Sequence, residues 1–84
     1  MAKVLYFASL AETLGTPGEQ IELQPGCRTV DDLVETLRSR GEPFAAAFDG
    51  KTRILVAINQ EMSDPSAEIG PADEIAFFPP VTGG

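Results

Sequence analysis

The chain contains no histidine, no tryptophan and a single cysteine, Cys27. Without histidine, the commonest general base and metal ligand is missing, and neither a Ser–His nor a Cys–His pair can be assembled. One cysteine permits no internal disulfide, and with no histidine beside it no ordinary zinc site, so no metal is expected. Positive charge is also scarce: six Lys and Arg stand against 13 Asp and Glu, for a net charge of −7. Lys3, Arg28, Arg38, Arg40, Lys51 and Arg53 form no dense run, whereas nucleic-acid binding requires a concentrated basic footprint. No apolar run approaches the ~20 residues that span a bilayer, and the run at 4–7 is too short for a signal-peptide core. The expectation is a cytoplasmic protein with no nucleic-acid or membrane partner. A self-contained enzyme is not expected either.

What is present is an ordinary globular composition, 43% apolar over 84 residues. That is one domain, and a chain this short buries only about 60–65% of its unfolded surface, so its core is thin. Residues 3–8 read as a strand with two apolar faces, Leu5 and Phe7 on one and Val4 and Tyr6 on the other. Such a strand is either covered on both sides or keeps one face for a partner. Residues 9–14 predict a helical turn capped by Ser9, with Glu12 completing the cap. Residues 19–23 alternate as an edge strand, with Ile21 and Leu23 inward. Residues 29–40 form the clearest element: Val30, Leu33, Val34 and Leu37 share one helical face. Thr29 is its N-cap, and Asp31 and Asp32 suit the positive end of its dipole. Arg38 and Arg40 suit the negative end, and Gly41 and Pro43 stop it. Residues 44–48 predict a short apolar plug. Strands follow at 53–58 and 74–78, with a turn at Asn59-Gln60 and a short return strand from Glu61-Met62. Residues 64–73 read as loop. Asp73 and Glu74 read as solvated groups at its junction with the last strand.

One amphipathic helix and one mixed sheet bury their apolar surfaces only against each other, which gives a two-layer α+β domain. The economical layout is the β-grasp, or ubiquitin-like, arrangement with the first and last strands side by side and parallel. The expected boundaries are a domain over 1–80 and an extended tail over 81–84.

The tail carries the most information. Phe77 and Phe78 point to opposite faces of their strand; Phe77 is expected inward and Phe78 outward. Pro79 and Pro80 end the strand and stiffen the exit. Val81, Thr82, Gly83 and Gly84 follow. Glycines without Cβ atoms can thread a narrow channel, and the terminal carboxylate is ionised at neutral pH. Such a carboxylate can attack the α-phosphate of ATP when another protein supplies the nucleotide site, and a sulfur nucleophile can then intercept the acyl adenylate. Cys27 is a rival sulfur carrier, because it precedes a helix N-terminus that can activate a thiol. An inert, partly buried role is the expectation for it.

The run FFPPVTGG, with KVLYFA near the start, VAINQE in the middle and the acidic loop before EIAFFPP, resembles the MoaD family of ubiquitin-like sulfur carriers, the small subunits of molybdopterin synthases. The resemblance covers nearly the whole chain. It implies that a MoeB-like, E1-like enzyme uses ATP and Mg²⁺ to adenylate Gly84, that a sulfur donor converts the adenylate to a thiocarboxylate, and that no cofactor is held permanently. It implies that Val81, Thr82 and Gly83 thread into a MoaE-like large subunit, where sulfur passes to cyclic pyranopterin monophosphate to build the molybdopterin dithiolene. It also implies a heterotetramer, with catalytic side chains in the large subunit. Phe7, Met62 and Phe78, with Pro79 and Pro80, match the family's partner-facing positions. Met62 stands where leucine is commoner. A carrier for another pathway, such as thiamine, and a ubiquitin-like interaction module are the alternatives.

Overall fold

A computed structural model describes residues 1–51 and 53–79 of the chain; Thr52 and 80–84 lie outside the described residues. The elements in chain order are β1 (Ala2–Tyr6), α1 (Ala8–Leu14), β2 (Gly18–Ile21), α2 (Val30–Arg38), α3 (Phe44–Ala47), β3 (Leu55–Ile58), β4 (Glu61–Ser63) and β5 (Glu74–Phe78). The strands form one five-stranded sheet in the order β2-β1-β5-β3-β4. β1 and β5 run parallel at its centre, and the other neighbours are antiparallel. This is the β-grasp arrangement, with its helices on one face of the sheet.

The core lies between that face and the helices. Val4 and Tyr6 of β1, Ile75 and Phe77 of β5 and Val56 of β3 meet Val30, Leu33 and Leu37 of α2, Leu10 and Leu14 of α1, and Phe48. Tyr6, Phe77, Leu33, Leu37, Ile75, Val4 and Val30 lose essentially all their exposure. Phe48 packs edge-on against Phe77 with centroids 5.2 Å apart, the T-shaped geometry that ring quadrupoles favour. The apolar residues at 44–48 therefore do plug one end of the core.

Helix α2 is fixed at its start by a capping box. Thr29 Oγ1 accepts from the Asp32 N–H at 3.2 Å, and the Asp32 carboxylate accepts from the N–H groups of Thr29 and Arg28. Those donors hold the Asp32 pKa below its ordinary value. The aspartate pair therefore works as helix-start chemistry. Helix α2 ends at Ser39, and Gly41 turns the chain away at φ +89°.

Several boundaries differ from the sequence reading. β1 stops at Tyr6 because Ala8 takes φ +52° and opens α1 at once, with Phe7 as N-cap. Ser9 therefore lies inside α1 and caps nothing, and no side chain caps that helix. β2 begins at Gly18 and ends at Ile21, leaving Leu23 packed on the core from outside the strand. A Cβ at position 18 would lie 2.7 Å from the Val4 carbonyl oxygen, so glycine admits β1's backbone at this close approach. Arg53 and Ile54 precede β3 rather than belonging to it.

Arg40 also departs from expectation. It lies beyond the last turn of α2, bonds Glu19 Oε2 at 2.9 Å and covers the Phe44 ring at 4.9 Å. The Tyr6 hydroxyl donates to the same oxygen at 2.9 Å. Partial burial raises the Glu19 pKa, but the bonds from Arg40 and Tyr6 and the Arg40 charge outweigh it and leave it lowered. Asp73 is likewise more than a solvated carboxylate. It accepts from Asn59 Nδ2 at 2.9 Å and from the Gly70 N–H at 2.7 Å, which ties the β3–β4 turn to the start of β5. Asn59 and Gln60 make that turn with positive φ, the backbone a two-residue hairpin demands.

Candidate functional site

The register fixes which residues face away from the helices. Leu5 of β1 pairs with Ala76 of β5, Ala76 with Ala57 of β3, and Ala57 with Met62 of β4. Directly paired residues share a sheet face, so these four form one row across the open side. The next row toward the end of β5 holds Phe78, paired with Leu55. Phe7 lies beside it: its N–H donates to the Phe77 carbonyl at 3.0 Å, and its ring meets Phe78 edge-on at 6.2 Å.

The open face thus carries two apolar rows, bounded beyond Leu5 and Ala76 by the Lys3–Glu74 pair; Ala57 and Ala76 at its centre are almost wholly buried, and no described element covers the face. Phe7 is 46% exposed and Met62 62%, while Phe78 is half-buried. Phe77, one residue earlier, is 1% exposed. The inward and outward assignments of the two phenylalanines follow the strand's alternation. Exposed contiguous apolar surface of this kind marks an interaction site.

The structure therefore brings Phe7, Met62 and Phe78 onto one face, and Pro79 leaves β5 directly beside them. Pro80, Val81, Thr82, Gly83 and Gly84 lie outside the described residues. Leu5 shares the Phe7 face, as the alternation of β1 indicates. Leu55, Ala57 and Ala76 are additional members that sequence reasoning missed. The stretch RILVAI is apolar at nearly every position, so its pattern does not say which parity faces out; pairing with β5 decides it.

Chemistry-bearing side chains are few. Cys27 is half-buried, and its thiol pKa is raised by burial and then by the nearby Asp32 carboxylate, the opposite of an activated nucleophile. Among the described residues no group of three or more His, Cys, Asp or Glu is placed to hold a metal ion. None of their helices is long and apolar enough to cross a membrane.

The model of the ThiS family matches residues 4–84. The chain belongs to the ThiS family. Relatives of this ThiS-family chain include the molybdopterin synthase sulfur carrier subunit of Haemophilus influenzae, 40% identical over 84 residues and covering all of both chains. The protein of the same name from Escherichia coli is 39% identical over 85 residues, again covering all of both. Among solved structures, the crystal structure of SAMP1 from Haloferax volcanii is 31% identical with a TM-score of 0.69. That match covers 99% of this chain and 98% of that one.

Proposed function

We propose that this chain is the sulfur carrier of a molybdopterin synthase and carries the sulfur as a thiocarboxylate on Gly84. The observation that carries the reading is the open apolar face of Phe7, Met62 and Phe78, which ends at Pro79, where the run toward Gly84 begins. A partner seated on that face is in position to receive the residues that follow. Full-length relatives named as synthase sulfur carriers support the pathway.

The chemistry asks little of this chain's side chains. In the activating step a terminal carboxylate oxygen attacks the α-phosphate of ATP, and pyrophosphate leaves. A sulfur nucleophile then displaces AMP from the acyl adenylate and leaves a thiocarboxylate. In the synthase the sulfur passes to cyclic pyranopterin monophosphate, and the carboxylate is regenerated by water. Two such transfers make the dithiolene. The E1-like activating enzyme supplies the nucleotide site, and the large subunit supplies acid–base groups. The carrier supplies a docking face, a stiff exit at Pro79-Pro80, and a Val81-Thr82-Gly83 segment slim enough at its end to thread. An acidic surface steers such a carrier toward basic surroundings of a partner's site.

Deletion of Gly84 tests the reading. The truncated chain is expected to melt like the intact one and to transfer no sulfur in a reconstituted synthase assay. Transfer by the truncated chain would overturn the assignment of Gly84 and favour an interaction module.

A further inference from the structure

Phe78 faces the open side of the sheet, and Pro79, the next residue, borders a groove on the helix side. The groove has a volume of about 260 Å³. It is lined by Ser9, Leu10 and Thr13 of α1, Ala46 and Ala47 of α3, Ile54 and Pro79. Leu10, Ile54 and Pro79 supply apolar bulk, and the short side chains of the other four leave the space open. Ser9, Thr13 and Ala46 are exposed, so the groove opens to solvent. Its volume falls below the ~300–1,000 Å³ of ordinary small-molecule pockets, so a single side chain suits it better than a substrate. It contains no charged residue, so that side chain is apolar.

We propose that this groove is a second contact for the large synthase subunit and receives one apolar side chain from it. The inference rests on the carrier reading above. The groove is continuous with the face assigned to that partner. Pro79 of the groove directly follows Phe78 of the open face, and Phe7 of the open face is the N-cap of α1, whose Ser9, Leu10 and Thr13 line the groove. Successive residues of β5 and its exit point to opposite sides of the sheet, so Phe78 and Pro79 present the tail root to two directions. A partner that encloses the tail closes around that root, and contact on the open face alone would leave the Pro79 side wet. The occupant is therefore an apolar side chain of the same partner that covers Phe7 and Phe78.

The test is titration calorimetry of the full-length chain against the purified cognate large subunit, with three forms compared. Ala46→Phe fills the groove from an exposed helix position. Ala72→Phe places the same bulk on an exposed residue at the far end of β5. The expected result is that wild type and Ala72→Phe bind alike, while Ala46→Phe binds about tenfold or more weakly with an unchanged melting curve. Equal binding by Ala46→Phe overturns the groove contact and leaves the carrier reading standing. No binding by wild type overturns both. Should Ala46→Phe melt early, Ser9→Phe fills the groove from α1 instead, and hydrogen exchange on the unaltered chain gives an independent answer. Amides at 10–14 and 46–48 are expected to gain protection in the complex, and unchanged exchange there overturns the contact.

Discussion

Individual residues in this chain divide into those that hold the fold and those that the proposed function assigns to partners. Thr29 and Asp32 belong to the first group. Replacing Thr29 with Ala removes the acceptor for the Asp32 N–H and is expected to cost about 1 kcal/mol, the usual loss at a helix N-cap. Urea unfolding at neutral pH measures it, and a change near zero would show that water caps α2 equally well. Glu19, Asp32 and Asp73 all have lowered pKa values in the folded chain. Their ionised forms bind more favourably when folded, so their stabilisation is complete above the ordinary carboxylate range. It is lost as pH falls through and below that range, into their lowered folded-state values. The melting temperature should therefore be flat near neutrality and fall on acidification, with a shallower fall in Glu19→Gln. A melting temperature that rises in acid would contradict these assignments. Cys27 packs, partly buried, against the core and belongs to the first group. Its raised pKa and partial burial predict that Cys27→Ser keeps full sulfur transfer, and a dead variant would move the sulfur from Gly84 to the thiol.

At the level of elements, the two sides of the sheet have separate duties. The helix side supplies stability. Leu33 is fully buried beneath α2, so Leu33→Ala should cost about 2–5 kcal/mol, enough to threaten a domain with so thin a core. The open side is the one the proposed function assigns to recognition. Phe7→Asp and Met62→Asp place charge on exposed positions, so both variants should fold with melting curves near wild type while binding the large subunit far more weakly. A pull-down at matched concentration distinguishes this from the opposite result, early melting, which would make the two residues part of the core. Most of this division is legible in the sequence. The alternation of β1 separates Val4 and Tyr6 from Leu5 and Phe7, and the heptad-like spacing of α2 identifies the helix that covers only one of those sets. The membership of Leu55, Ala57 and Ala76 in the open face is not legible, because their strands are apolar at successive positions and only pairing settles parity. The start of α1 is not legible either. Ser9 looks like a cap by residue type, but Ala8 turns the chain in the left-handed region one residue sooner, and Phe7 takes the cap position.

For the molecule as a whole, the parallel pairing of β1 with β5 joins the two halves of the proposed site. It sets Phe7, near the start of the chain, against Phe78, near the exit of the tail, and it puts Pro79 between the open face and the α1–α3 groove. In the proposed reading, a net charge of −7 opposes self-association through the open apolar face and favours long-range attraction to partners with basic surroundings. The missing histidine and the lone, unactivated cysteine agree with a division of labour in which the fold delivers a terminal carboxylate and the partners act on it. Intact-protein mass spectrometry after incubation with a cognate E1-like enzyme, ATP and a sulfide source tests this most directly. The account predicts a mass gain equal to the replacement of one oxygen by sulfur, located by fragmentation to Gly84. An unchanged mass in the presence of an enzyme shown to be active, or sulfur located at Cys27, would contradict it.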